Sequence, residues 1–180
     1  MNIRHLQSGD LSIPLVKRIL LLKNTVWPSD REIEEQCNDY MQFDKKRPNR
    51  RILVLEDEQG DLLGHADLFT RQIYCGDSGM TVGCLAGVCI LSQKRGKGLG
   101  RRLVREAFNT VNHHNYAVIL FQTAVPEFYR KLGARVIENT FINSQSKVPE
   151  TNPWQDDYIM IYPDSFPWPK GGIDLNGSDF

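Results

Sequence analysis

Hydrophobic positions switch between helical and alternating spacing along the chain, and the switches predict its elements. Asn2–Leu6 alternates and predicts a first strand. Leu15, Ile19 and Leu22 recur at helical spacing within Leu11–Asn24, with Ser12 before Pro14 as a start signal. Trp27-Pro28-Ser29-Asp30 is a break, after which Ser29 or Asp30 is placed to cap a helix holding Ile33, Cys37, Tyr40 and Met41. Lys45-Lys46-Arg47-Pro48-Asn49-Arg50-Arg51 reads as a solvated basic connector. Arg51–Glu56, Leu62–Tyr74 and Met80–Leu91 are apolar, branched runs parted by turn sequences, and predict an antiparallel meander. A helix from Leu99 to Asn112 follows, with Leu103, Val104, Ala107, Phe108 and Val111 on one side, and His113-His114 at its end. Tyr116–Gln122 is almost wholly apolar, as in a strand covered on both faces. Glu127–Leu132 predicts a short helix closed by Gly133, and Arg135–Asn143 and Tyr158–Tyr162 predict the last strands, with a polar loop between them.

From Pro163 onward three prolines and three glycines argue against regular structure. The same stretch carries Phe166, Trp168, Ile173, Leu175 and Phe180, too apolar for a free linker. The expected organisation is therefore one domain over residues 1–162 and an ordered extension over 163–180 packed on it. At 180 residues, 41% hydrophobic and 24% charged, the composition is that of a globular protein with a sizeable core. Lys plus Arg equals Asp plus Glu, which removes any whole-molecule field for nucleic acid or an acidic membrane. No apolar run approaches the roughly 20 residues of a membrane span, and Met1-Asn2-Ile3-Arg4-His5 does not open a signal peptide. Cys37, Cys75, Cys84 and Cys89 form no CxxC pair and have no zinc-finger histidines, so no metal site is expected. They read as reduced thiols of a cytoplasmic protein.

One segment changes this picture. A strand, then Gln93-Lys94-Arg95-Gly96-Lys97-Gly98-Leu99-Gly100, then a helix is an anion site by elementary physics. Glycines allow positive φ and close approach of backbone to ligand. The helix N-terminus offers free N–H groups and about half a positive charge. Lys94, Arg95 and Lys97 add full charges, with Arg101 and Arg102 behind, and the set suits a diphosphate. A dinucleotide fingerprint needs different glycine spacing after a first strand, and the GxxxxGK[ST] of a P-loop is absent.

Gln93-x-x-Gly96-x-Gly98 between a strand and a helix resembles the acetyl-CoA motif of the Gcn5-related N-acetyltransferase (GNAT) superfamily. Phe128-Tyr129-Arg130-Lys131-Leu132-Gly133-Ala134 is similar to its second signature. The two stand in the right order, and the resemblance covers roughly Asn2 to Tyr162. Within the superfamily, His65-Ala66-Asp67, Arg71-Gln72-Ile73-Tyr74 and Gly87-Val88-Cys89-Ile90 resemble aminoglycoside 2′-N-acetyltransferases, as does Asp156-Asp157 before the last strand. Trp168-Pro169-x-Gly171 and Ile173-Asp174-x-Asn176-Gly177 resemble the tail of nodulation N-acyltransferases.

The resemblance implies an α/β fold with a mixed, mostly antiparallel central sheet flanked by helices. It implies direct attack of a neutral amine on the thioester of acetyl-CoA, with a backbone N–H near Val88, Cys89 and Ile90 stabilising the oxyanion. Tyr129, which on spacing alone is a core tyrosine, becomes the implied general acid for the leaving thiolate. The related aminoglycoside enzymes carry a Glu two residues before the position of Val88; Ala86 stands there instead. The base is left open among Asp157, Asp156, His65 and the Phe180 carboxylate, with Asp157 the choice for binding a cationic amine. His65 itself reads as a half-buried strand residue. The expected partner is a small-molecule amine, such as an amino sugar or aminoglycoside, and the oligomeric state stays open, a homodimer included. Two alternatives stand beside this: a longer acyl donor on a carrier protein, and a non-catalytic acyl-CoA-binding domain.

Overall fold

The computed structural model of the protein describes residues 1–45, 47, 49–111, 116–147 and 153–177. His113, His114 and Phe180 lie outside them. The chain forms two compact units, one of Met1–Phe69 with Gly87–Ala107, the other of Thr70–Ala86 with Phe108–Phe180.

In the first unit, β1 (Asn2–Gln7) pairs antiparallel with β2 (Arg51–Glu56), and β2 pairs antiparallel with the first half of β3 (Leu62–Cys75). Ile52 to Leu55 are fully buried, because helices cover this sheet. Two of them are α1 (Ile13–Asn24) and α2 (Ile33–Lys45). The Ser12 hydroxyl accepts from the Leu15 N–H at 3.4 Å, the expected cap of α1. Val16, Ile19 and Leu20 then join Cys37, Tyr40, Ile52 and Val54 in one apolar cluster. Neither Ser29 nor Asp30 caps α2; the helix begins at Ile33, and the Ser29 hydroxyl accepts instead from the Arg31 N–H in the preceding turn. The basic connector is not simply solvated. The Arg47 guanidinium lies 3.7 Å from the ring centres of Phe43 and Phe69, and Arg50 is buried. Both side chains carry charge into an aromatic setting that sequence pattern does not reveal.

β4 (Ser78–Ile90) leads from the second unit back to the first, followed by a short 3-10 helix (Ser92–Lys94) and α3 (Leu99–Phe108). The helix ends at Phe108 and not at Asn112, with 109–111 forming a turn.

In the second unit, β5 (Ile119–Thr123) runs parallel to β4 through Gly83↔Ile119 and Cys84↔Leu120. It pairs antiparallel with β8 (Tyr158–Tyr162), which pairs antiparallel with β6 (Arg135–Val136). β5 begins at Ile119 although Tyr116 and Val118 are already buried; the Tyr116 hydroxyl is bonded to Thr110 at 2.7 Å. α4 (Pro126–Arg130) starts one residue before the predicted Glu127–Leu132 and ends two residues before it, and Gly133 at φ +88° turns the chain after it. The predicted strand Arg135–Asn143 is broken into β6 and β7 (Phe141–Ile142). Between them the Asn139 carboxamide donates to the Pro169 and Gly171 carbonyls at 3.0 and 2.8 Å, drawing the chain toward the tail. The tail itself forms β9 (Ile173–Asp174), against expectation. It pairs parallel with β7 and antiparallel with β3 at Tyr74↔Asp174, while Ile173 and Leu175 are fully buried. The burial of these two apolar groups, and backbone partners at Thr140 and Ile142, outweigh the flanking prolines and glycines.

Candidate functional site

Each half of the predicted site is built within its own unit. In the first, the strand end is closed by the N–H groups of Lys94 and Arg95, bonded to the Leu91 and Ser92 carbonyls at 2.8 and 3.2 Å. The Arg95 side chain turns back to the Ile90 carbonyl at 3.1 Å, so part of this expected phosphate ligand serves the turn. Gly96 and Gly98 both have φ of +76°, and a Cβ on either would meet nothing within 4 Å. Backbone conformation, and not crowding, therefore demands glycine here. Leu99 is buried and anchors the helix start, while Gln93, Arg95, Gly96, Lys97 and Gly98 are exposed; Lys94 and Gly100 are half-buried. The first α3 bond runs from Arg102 N–H to the Gly98 carbonyl at 3.0 Å. That leaves the Leu99, Gly100 and Arg101 N–H groups without partners in the helix, at its positive end. The Arg102 guanidinium is directed to the Met1 carbonyl and not to the loop. Loop and helix start together can receive a diphosphate.

Upstream of the loop, Gly87 lies within β4 at φ of +57°. A Cβ there would sit 3.2 Å from Lys23 Nζ, 3.4 Å from His65 Cε1 and 3.5 Å from Asp67 Oδ2. Behind Gly87 lies a buried polar chain that sequence reading missed. His65 Nδ1 is 2.9 Å from the Gly87 carbonyl oxygen, and its Nε2 is 3.3 Å from the Tyr40 hydroxyl and 3.6 Å from Asp67 Oδ2. The other Asp67 oxygen accepts from Arg50 Nε at 3.0 Å, and Arg50 Nη1 donates to Asp44 at 3.3 Å. Asp67 and Asp44 are 17 and 6 residues from Arg50, with no periodic signal that joins the three. His65 is fully buried, which corrects the half-buried reading and removes it as a water-mediated base. Burial pushes its imidazole down to about 4, opposed by Asp67 and assisted by Lys23 and Arg50. Burial would raise Asp67, but His65, Arg50 and Lys23 together hold it below the usual range. Val88 is half-buried and Cys89 and Ile90 are buried; burial pushes the Cys89 thiol up to about 11, so it is no thiolate nucleophile.

A pH dependence of stability follows. The unfolded chain takes up a proton on His65 near pH 6.5, while the folded one resists until about 4. Stability from this group is complete above the unfolded value and is lost as pH falls toward the folded one. Urea unfolding at pH 7.5, 6 and 4.5 is expected to show a loss of about 2–3 kcal/mol across this range. A flat profile would contradict a neutral buried imidazole.

In the second unit, Tyr129 on α4 is buried, its ring centre 4.7 Å from that of Phe121 and 4.9 Å, edge-on, from that of Phe128. Burial first, and the Asp156 charge second, hold its phenol well above the ordinary range. Asp156 and Asp157 are exposed, immediately before β8. The Asp156 carboxyl is raised by burial and by the Asp157 charge. It is Asp156, not the favoured Asp157, whose charge Tyr129 feels. The Gln122 carboxamide oxygen fixes this acidic turn by accepting from the Gln155 and Asp156 N–H groups at 2.7 and 2.9 Å. A polar residue near the end of an otherwise apolar strand was the available sequence signal for Gln122. Val88, Cys89, Ile90 and Gln93–Gly100 thus share the first unit with His65, and Tyr129 shares the second with Asp156 and Asp157. Among the described residues there is no metal-ligand cluster, and no helix is long and apolar enough to cross a membrane.

A mixed, mostly antiparallel sheet flanked by helices, with a strand, a glycine loop and a helix in succession, matches the acyl-CoA N-acyltransferase fold. The chain belongs to the GNAT acetyltransferase family: residues 4–137 match the family model described as Acetyltransferase (GNAT) domain. No curated protein gives a significant match. Among solved structures, the chain is similar to the GNAT family N-acetyltransferase YhbS from Escherichia coli in complex with CoA, at 16% identity over 97% of this chain and 89% of that one, TM-score 0.63. It is similar to an acyl-CoA N-acyltransferase from Pseudomonas aeruginosa at 14% identity, covering 89% of this chain and 97% of that one, TM-score 0.61. It is also similar to glucosamine-6-phosphate N-acetyltransferase from Arabidopsis thaliana at 17% identity, covering 74% and 91%, TM-score 0.58. At these identities the likeness is one of fold.

Proposed function

We propose that this protein transfers an acetyl group from acetyl-CoA to a primary amine of a small molecule, with an amino sugar or aminoglycoside as the acceptor class. The observation that carries the donor is the loop Gln93–Gly100, where two glycines at positive φ precede a ten-residue helix with free N–H groups. The loop would take the pyrophosphate, with Lys94 and Lys97 as counter-charges. The pantetheine would lie along Val88–Ile90, with a backbone N–H there polarising the thioester carbonyl. Tyr129 would donate to the departing sulfur. Its raised pKa keeps it protonated but makes full proton transfer uphill, so hydrogen bonding as the C–S bond breaks suits it better than donation to a free thiolate. Asp156 and Asp157 offer negative charge for a cationic amine, and the likeness to an amino-sugar enzyme, weak as sequence, agrees with that acceptor class.

Thiol release from acetyl-CoA, measured against a panel of aminoglycosides, amino sugars and polyamines, tests this reading. Gly98→Val is expected to weaken acetyl-CoA binding by at least about tenfold, since the variant must leave φ +76° and move the loop N–H groups. Release only from acyl-carrier donors would change the donor. CoA binding with no acceptor turned over would make the protein a binding domain. Absence of CoA binding at millimolar concentration would remove the proposal.

A further inference from the structure

The buried polar chain of the first unit ends on one peptide group. His65 Nδ1 stands 2.9 Å from the carbonyl oxygen of Gly87, and that carbonyl shares its peptide plane with the N–H of Val88. In a trans peptide the two groups point in opposite directions, so whatever holds the carbonyl also aims the N–H. Holding is needed here, because Gly87 sits at φ +57° within a strand, a conformation with little intrinsic preference of its own.

The imidazole is equipped for that task. At 2.9 Å from a carbonyl, which can only accept, Nδ1 must carry the proton. Nε2 is then the acceptor for the Tyr40 hydroxyl at 3.3 Å. The ring is fully buried, with Asp67 Oδ2 3.6 Å from Nε2, and Asp67 is itself fixed by Arg50, which Asp44 holds from the far side. Lys23 contributes a cation at the same place, its Nζ close to where a Gly87 side chain would begin. Lys23, Tyr40, Asp67 and Arg50, the charged and titratable groups that face the imidazole, all come from the first unit.

We propose that His65 is a positioning residue for acyl transfer: by donating to the Gly87 carbonyl it fixes and polarises the Gly87–Val88 peptide, so that the Val88 N–H meets the thioester oxygen. This rests on the reading of Val88 as the oxyanion donor. A hydrogen bond accepted by a carbonyl strengthens the N–H of the same amide as a donor, and a fixed donor needs no reorganisation during reaction. Gly87 is glycine for its φ; a Cβ there would press only on the flexible end of Lys23 and would stand at ordinary contact distance from His65 and Asp67.

The test compares His65→Leu, which removes the donor, with His65→Asn, whose amide can place an N–H near the Nδ1 position. With acetyl-CoA and the best amine of the panel, His65→Leu is expected to lower kcat by about 10–100-fold with KM for acetyl-CoA changed less than about threefold. His65→Asn should recover most of kcat. In the wild-type protein at pH 7.5, long-range ¹H–¹⁵N correlation of labelled histidine should show the Nδ1–H tautomer for His65, a readout that needs neither variant to fold. The proposal is overturned by an Nε2–H tautomer, by undiminished kcat in His65→Leu, or by equal impairment of folded His65→Asn and His65→Leu. A wild type that acetylates no amine overturns the function itself and this role with it; an active wild type with an unimpaired His65→Leu overturns the role alone.

Discussion

Tyr129→Phe is expected to lower kcat for acetyl transfer by about 10²–10⁴-fold, with KM for acetyl-CoA nearly unchanged. The substitution removes one oxygen and keeps the ring. Packing against Phe121 and Phe128 therefore survives, and the thermal midpoint should move little. What is lost is the only group proposed to meet the developing thiolate. Burial and Asp156 hold the phenol above its ordinary range, so it stays protonated throughout the usual assay interval. The wild-type rate should accordingly show no alkaline decline from this residue below about pH 10. A Tyr129→Phe enzyme within twofold of wild type in kcat would return Tyr129 to the core tyrosine that its spacing alone suggests.

Arg50→Met should destabilise the protein by about 3–5 kcal/mol, measured by urea unfolding at pH 7.5. The volume is nearly kept, so the loss is electrostatic. Arg50 joins Asp67 at 2.8 Å and Asp44 at 3.3 Å, and each of the three side chains is 5% exposed or less. Removing the guanidinium strands two carboxylates out of water. The triple variant Arg50→Met, Asp44→Asn, Asp67→Asn removes the stranded charges and should recover part of that loss. A single-variant loss under about 1 kcal/mol, or a triple variant less stable than the single, would show that the pair energy does not reside where the distances put it. Since Asp67 also borders His65, the single variant should alter the His65 environment as well as global stability.

The glycine loop before α3 and the buried chain behind Gly87 differ in how far sequence alone reaches. Gln93–Gly100 was readable because its requirements are local: positive φ at two glycines, and a helix beginning at the next residue. The helix of Tyr129 was readable for the same reason. Arg50, by contrast, looked like one more cation in a basic connector, because burial depends on which strands and helices fold over it. The strand predicted over Arg135–Asn143 failed through a competing long-range partner, the tail carbonyls that take the Asn139 amide. β9 formed for the complementary reason, since Ile173 and Leu175 find a core that their prolines and glycines could not foretell.

From its residue order alone, then, the chain specifies its family, the mixed sheet with its flanking helices, and the positive-φ glycine loop before α3, all of which rest on motif, torsion preferences and short-range periodicity. Tertiary structure decided which polar groups are buried together: Arg50 with Asp44 and Asp67, and His65 on the Gly87 carbonyl. Those pairings join residues far apart in sequence, and their strength comes from the exclusion of water, which no local pattern of residues records.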